Sequence, residues 1–287
     1  MSFIPPHTIK ELELKANEAR MLVVDMLEDA GSGHTAGPLG MADIFTALYF
    51  HSAKHDVHNP DWEERDRIIL SNGHIVPIRY AVMALAGYFP IEELKTLRKF
   101  GSRLQGHPER SKIFALETTS GPLGSGLSQA AGIAYAGRMD NKKFTTFCLM
   151  SDGEMQTGNI WEAAMFAGKN RLSNLIGIID RNNIQINGMT EDVMPIEPLK
   201  DKWESFNWHV IEVNGNNIEE VVYAIDTAHA VYEKPIMIIA HTIPGKGIKE
   251  IEFDYTWHGK PPTKEEEQKF LKELRTLRGK IESTHHD

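Results

Sequence analysis

Asp152 and Asn182 are the side chains from which a reading of this chain's chemistry can start. They stand in SDGEMQTGNIWEAAMFAGKNRLSNLIGIIDRNNIQING, Ser151 to Gly188, each just after an apolar run. An Asp carboxylate, an Asn amide oxygen and a nearby main-chain carbonyl make three hard oxygen ligands. Mg2+ commonly takes one or two protein carboxylates and completes its octahedron with phosphate oxygens and water. Gly153 permits close backbone approach, and the helix expected after it turns its first N–H groups towards an anion. The arrangement suits a Mg2+–diphosphate ligand. A plainer reading stands beside it: Asp-Gly and Asn-Asn are ordinary turn pairs, and Asp152 is also a fit helix cap.

Four histidines stand next to glycine: His34 in SGHTAG, His74 in SNGH, His107 in QGHPE and His258 in WHGK. Imidazole titrates near neutrality and suits proton handling. With 13 histidines and 23 glycines in the chain, chance gives roughly two such neighbours, so the count decides little and the placement in loops more. The segment TTSGPLGSG at 118–126 could lay backbone against a ligand, although it has neither Walker A nor G-x-G-x-x-G spacing.

The elements that must position these groups show in the apolar pattern. Runs at 67–70 (RIIL), 144–150 (FTTFCLM), 175–180 (LIGIID), 209–213 (HVIEV) and 235–242 (PIMIIAHT) alternate with helical patterns. Their near-continuous apolarity marks strands buried on both faces of a parallel sheet with helical crossovers. A helix is expected over 8–30, with Thr8 and Glu11 as a capping box and Gly31 as its stop. Another is expected through GPLGMADIFTALYFHSA and a third over 159–171. The fold class is therefore α/β, an open, mostly parallel sheet with helices on both faces, plus a charged C-terminal helix. Asp152 and Asn182 then fall at the carboxyl ends of consecutive strands, both facing the crevice where ligands of open α/β sheets sit. From Thr263, TKEEEQKFLKELRTLRGKIE reads as a capped helix packed by one stripe, Phe270, Leu274, Leu277 and Ile281. The expected division is an α/β domain over 1–262 and a helical tail over 263–287.

Composition excludes several classes. The 287 residues carry a net charge of −9 with no Lys/Arg-dense segment, which argues against sequence-independent nucleic-acid binding. No run of 18 apolar residues exists to form a membrane helix. The segment MSFIPPHTIKELELK lacks the basic and apolar regions of a secretory signal. The single cysteine, Cys148 in FCLM, excludes an internal disulfide, reads as a core residue and suits a reducing cytosol. A cytoplasmic protein is expected.

Taken in order, SGH, ERDRIILSNGH, GHPE, ETTSGPLGSG, DGE…NN and WHGK resemble the diphosphate-binding half of transketolase over nearly the whole chain. The Asp-Gly…Asn part alone marks thiamine-diphosphate enzymes generally; the histidine motifs and GPLG select transketolase. The resemblance implies a thiamine-diphosphate-binding fold, thiamine diphosphate as cofactor, and Mg2+ with Ca2+ or Mn2+ as substitutes. It places Asp152, Asn182 and the carbonyl of Ile184 on the metal, with Gly153 close to the diphosphate. His74 and His258 would contact the diphosphate region, Gly121 and Leu123 would offer backbone to the cofactor, and Ile186 would pack on the thiazolium. His34, His107 and His258 would line the substrate channel and handle sugar hydroxyls and their protons. The implied activity moves a two-carbon ketol unit from a ketose or its phosphate to an aldose or its phosphate.

Two positions depart from the family. Ser151 replaces the usual glycine of GDG, and Thr157 stands where a glutamate commonly links the two active sites across the dimer. A full-length transketolase also carries a further domain with the glutamate that protonates the pyrimidine ring and arginines for the sugar phosphate. Glu154 and Glu162, the acids nearest in sequence, lie on the diphosphate side and would not reach that ring. The chain thus resembles the N-terminal subunit of a split transketolase. A C-terminal subunit would be its partner in an assembly of two copies of each, with neither nucleic acid nor membrane as partner. Other readings are a subunit of another thiamine enzyme (a 2-oxo-acid dehydrogenase α subunit or a deoxyxylulose-phosphate-synthase-like protein) and a non-catalytic paralogue.

Overall fold

The computed structural model describes residues 4–284. Its strands are β1 Arg67–Leu70, β2 Thr146–Ser151, β3 Leu175–Arg181, β4 Ile184–Gln185, β5 Gly188–Met189, β6 His209–Asn214 and β7 Ile236–His241. Five of them form one parallel sheet in the order β1-β2-β3-β7-β6, and β4 with β5 makes a small antiparallel hairpin directly after β3. The helices are α1 Pro6–Ala30, α2 Ala36–Gly40, α3 Ala42–Ala47, α4 Val76–Ala86, α5 Ser125–Met139, α6 Gly158–Asn170, α7 Thr190–Val193, α8 Leu199–Ser205, α9 Ile218–His229 and α10 Lys264–Thr284.

The central strands are apolar throughout because each feeds two cores. Side chains alternate between sheet faces with a period of two. Phe147 and Leu149 of β2, Ile176 and Ile178 of β3, and Ile236 and Ile238 of β7 meet residues of α1, α4 and α9. Their neighbours Cys148, Met150, Leu175, Ile179, Met237 and Ile239 meet α5, α6 and α8 on the other face. Helices on both faces of a parallel sheet are what the apolar runs predicted, and Cys148 is a buried core residue. At one edge of the sheet the expectation fails. In β6 His209, Glu212 and Asn214 are exposed and Val210, Ile211 and Val213 only half-buried, although β1 at the opposite edge is buried from Ile68 to Leu70.

The two ends of α1 follow different rules. The helix starts earlier than Thr8: Pro5 is its N-cap, Pro6 opens the first turn, and no side chain caps it. The Thr8–Glu11 capping box does not form because a proline, which lacks an N–H, already starts the helix without a side-chain cap. The other end is as read, with Gly31 left-handed at φ 60 and its N–H bonded to the carbonyls of Leu27 and Glu28. The segment after Gly37 does not run as one helix; α2 and α3 are followed by a wider turn over Leu48–Ser52.

The C-terminal helix is capped as the sequence suggests. Thr263 Oγ1 accepts the N–H of Glu266 at 3.3 Å, and the Glu266 carboxylate accepts the N–H of Thr263 at 2.8 Å. Phe270 and Leu274 are fully buried and belong to the same core as α1. Asn17 of α1 donates to the carbonyl of Leu274 at 2.9 Å, and Phe270 stands edge-on to Trp257 with ring centroids 5.3 Å apart. Trp257 immediately precedes His258, so α10 braces a segment of the site. Among the described residues no helix is long and apolar enough to cross a membrane. Phe270→Ala is expected to destabilise the chain by about 3–5 kcal/mol, read as a lowered urea midpoint. A loss below about 1 kcal/mol would mean that α10 is not part of the core.

Candidate active site

Parallel pairing fixes the heart of the site. Ser151 at the end of β2 is level with Asp180 in β3, and the N–H of Asp152 donates to the carbonyl of Asp180 at 3.1 Å. A cavity of about 390 Å³ opens there, between the sheet end, the β4–β5 hairpin and the loops that carry the histidines. His34, His74, His107, His258, Gly121, Leu123, Gly153, Asn182, Ile184 and Ile186 all line it. These segments lie more than two hundred residues apart in the chain, and the fold brings them to one place. Ser151, noted above as a departure from the family pattern, lines it too, as do Gln156, Gln185 and Asn187, which were not singled out from the sequence. Gln185 lies between Ile184 and Ile186, and only the hairpin turns it inward.

Asp152 differs from its expected position. It is fully buried beneath the cavity and does not line it. One carboxylate oxygen accepts the N–H of Gly153 at 2.7 Å. The other accepts from Arg181 at 3.0 Å, the N–H of Asn183 at 2.8 Å and the Thr190 hydroxyl at 3.2 Å. Burial pushes the Asp152 carboxyl up, and Arg181 pulls it back. Arg181 is in turn held by Glu191 at 2.6 Å and Glu197 at 2.9 Å. The plainer reading of Asp152 as a turn-capping residue is therefore part of the answer: it organises the strand end and the loop beyond β3. The helix expected directly after it is preceded by a 3-10 turn, Gly153–Gln156.

The donor set can hold a divalent cation. Oδ1 of Asp152 and Oδ1 of Asn182 each accept a single N–H, from Gly153 and from Ile184, so each keeps a lone pair. The amide of Asn182 is oriented by donating to Asp180 at 2.8 Å, a carboxylate that also accepts from Thr242. Burial raises the Asp180 carboxyl to about 7, with Asp152 adding to the rise and the two donors opposing it. Among the described residues no three His, Cys, Asp or Glu side chains gather around a possible metal. An ion here would be held by one carboxylate, one amide oxygen and main-chain carbonyl, a set for hard cations. At Gly153 a Cβ would lie 2.8 Å from the Gln185 amide nitrogen, so turn and hairpin pack closely there and a larger residue would have to displace the Gln185 side chain.

The histidines form a packed, neutral group. His34 and His74 have ring centroids 4.8 Å apart, His74 and His258 5.3 Å, and His34 and His258 5.5 Å. Burial lowers His34 to about 4, helped by the fields of His258 and Arg98. Burial also holds His74 well below the usual imidazole range, and lowers His258 and His107. The Nδ1 atoms of His34 and His258 are buried without a protein partner, an incompleteness that a polar ligand can relieve. Glu154 is buried under this wall and bonded to Ser71, Gly124 and Ser151. Glu162 is exposed on α6. Thr157 Oγ1 donates to the carbonyl of Glu154 at 2.9 Å, closing the 3-10 turn.

The fold and site are those of a parallel α/β domain with a ligand-sized cavity at its strand ends, lined by oxygen acceptors and imidazoles. Residues 12–279 match the family model for the thiamine diphosphate binding domain of transketolase. The chain is 44% identical over 255 residues to a 6-deoxy-6-sulfo-D-fructose transketolase subunit of Clostridium sp. (strain MSTE9), covering 89% of this chain and 93% of that one. It is 37% identical over 274 residues to an apulose-4-phosphate transketolase subunit of Phocaeicola vulgatus, covering 96% and 97%. The solved transketolase of Campylobacter jejuni superposes with a TM-score of 0.87 at 34% identity, over 97% of this chain but 43% of that one. The chain belongs to the transketolase family, as its thiamine-diphosphate-binding part.

The depressed His34 gives a pH expectation. An unfolded imidazole titrates at about 6.5, above the folded value of about 4. Between those values the unfolded chain binds more protons, so stability is intact above about pH 6.5 and falls as the pH drops towards 4, by about 3 kcal/mol from this group. His34→Gln is expected to flatten the fall in urea midpoint across that window. Parallel curves for the variant and the parent protein would show that His34 is not the group responsible.

Proposed function

We propose that this chain is the diphosphate-side subunit of a two-polypeptide transketolase, transferring a two-carbon ketol unit from a ketose or ketose phosphate to an aldose or aldose phosphate. The observation that carries the reading is the single cavity at the ends of β2 and β3, lined by all four glycine-flanked histidines together with Gly153, Asn182 and Ile184. Two relatives of nearly equal length are named as transketolase subunits, which supports a partner chain. That partner is the C-terminal subunit, in a heterotetramer of two copies of each chain. The complex is cytoplasmic and acts without nucleic acid or membrane partners. Up to residue 262 the chain is the cofactor-binding domain, with α10 as a helical tail on it; the expected bounds at 1–3 and 285–287 lie outside the described residues.

In this reading Asp152, Asn182 and the carbonyl of Ile184 hold Mg2+, with Ca2+ or Mn2+ able to substitute. Gly153, His74 and His258 lie against the diphosphate, Gly121 and Leu123 offer main-chain groups, and Ile186 packs on the thiazolium ring. Bound thiamine diphosphate supplies the carbanion chemistry. The chain's own residues anchor and orient. His34, His107 and His258 are neutral at working pH, so a ring nitrogen of each can accept the proton of a sugar hydroxyl and return it. The half-exposed Leu123 and the exposed Ile186 give the cavity an apolar lip that sheds water once covered.

In the test, this chain is mixed with a C-terminal transketolase subunit, and ketol transfer is followed with Mg2+ and thiamine diphosphate in excess. Activity is expected only on mixing, and turnover by this chain alone would overturn the split reading. Cofactor at about 100 times its Kd should raise the stability of the mixed complex by roughly 2.7 kcal/mol. Asp152→Ala is expected to abolish that rise; an unchanged rise would remove Asp152 from the metal site.

A further inference from the structure

Glu154 takes no part in the ligand contacts proposed above, yet it is fully buried among them. Its carboxylate accepts hydrogen bonds from three segments. Ser71, just past β1, donates its hydroxyl. Gly124, at the start of α5, donates its N–H at 2.6 Å. Ser151, the last residue of β2, donates its N–H at 3.2 Å. Ser71 Oγ is itself the acceptor for the N–H of Gly126 at 3.0 Å. The glycines leave no latitude: Gly124 is left-handed at φ 87 and packs against Thr157, and Gly126 packs against Ser71.

Each of the three segments leads directly to a wall of the cavity. Ser71 is followed by Asn72, Gly73 and His74, Gly124 ends the loop containing Gly121 and Leu123, and Ser151 precedes Asp152. The start of α5 is thus satisfied from inside by a side chain, which draws its first N–H groups away from the cavity. A carboxylate accepts only, so losing any of these three donors would leave part of its buried charge unmet.

We propose that Glu154 is a positioning residue for cofactor binding: it acts as a fixed internal anion that sets the His74 loop, the Gly121–Leu123 loop and the Asp152 strand end in register with one another before any ligand arrives. The inference rests on the cofactor reading above, because the walls it aligns are those assigned to the diphosphate and thiazolium. Charge-assisted hydrogen bonds of this kind are strong and short-ranged, and preorganisation of a site lowers the ordering cost of binding.

Glu154→Gln separates alignment from shape. The glutamine keeps the length but places an NH2 where an acceptor served a backbone N–H, so donor faces donor. Hydrogen exchange on this chain alone, without cofactor, should show the amides of 71–74 and 121–126 exchanging about tenfold faster or more. Amides of α1 and α9 should keep their protection. In the complex with a C-terminal subunit, thiamine diphosphate should bind about tenfold or more weakly, measured by calorimetry. Ser71→Ala removes one donor to Glu154 and the acceptor of the Gly126 N–H while leaving the carboxylate in place, and should move both readouts the same way, by about threefold or more. Unchanged local exchange, or exchange raised everywhere alike, overturns the proposal. So does unchanged cofactor affinity in folded variants. Failure of the parent complex to bind thiamine diphosphate would instead sink the cofactor reading, and the exchange arm would still decide whether Glu154 aligns the three segments.

Discussion

A carboxylate taken out of water must be met by donors, and this molecule buries three of them at one end of its sheet. Asp152, Glu154 and Asp180 are each essentially without exposure. An unpaired charge in such a place costs several kcal/mol, so the surrounding chain is arranged to supply N–H and O–H groups. Asp152 draws in Gly153, Asn183, Thr190 and Arg181. Glu154 draws in the ends of β1 and β2 and the start of α5. Asp180 takes Thr242 from the end of β7 and the amide of Asn182. The loops that wall the cavity nearest the sheet are tied to one or another of these groups. These hydrogen bonds tie the strand ends to the loops beyond them.

The upper wall obeys the opposite rule. His34, His74 and His258 are packed ring to ring and held neutral by burial. In a chain of net charge −9, the cavity therefore offers an anionic ligand no fixed positive surface of its own beyond what a metal would add. What it offers is hydrogen-bonding imidazole in a poorly hydrated wall, where such bonds count for more than in water. Acid would charge these rings only against the cost of burial, which keeps their chemistry constant across the neutral range.

Much of this was legible because it rests on short-range patterns. Apolar runs such as LIGIID announce strands covered on both faces, and residues just past such runs fall at strand ends, which located Asp152, Asn182 and Gly153. The ordered histidine motifs supplied the rest through family resemblance. What was not legible depends on distant partners. HVIEV looks as buried as LIGIID in sequence, yet β6 is the exposed one of the two edge strands, a matter of what packs around it. Thr8 and Glu11 have the spacing of a cap, but Pro5 and Pro6 start the helix first. Glu154 reads as an ordinary acid after Asp-Gly, because nothing local shows that Ser71 and Gly124 will converge on it. Asp152 was expected at the cavity surface, and its burial follows from the Arg181 and Thr190 contacts that no spacing rule contains.

The polar edge of the sheet has a bearing on how such a chain behaves in company. An outermost strand presents unpaired main-chain groups and can template a neighbour, the first step towards fibrils or swapped sheets. β6 shows His209, Glu212 and Asn214 to solvent, and Glu212 is flanked by His241 at 3.1 Å and Lys200 at 3.8 Å. A strand approaching this rim would have to strip water from those charges before gaining a single ladder bond. The same composition that hid β6 among the buried strands thus guards this rim of the sheet against pairing with a strand of another molecule.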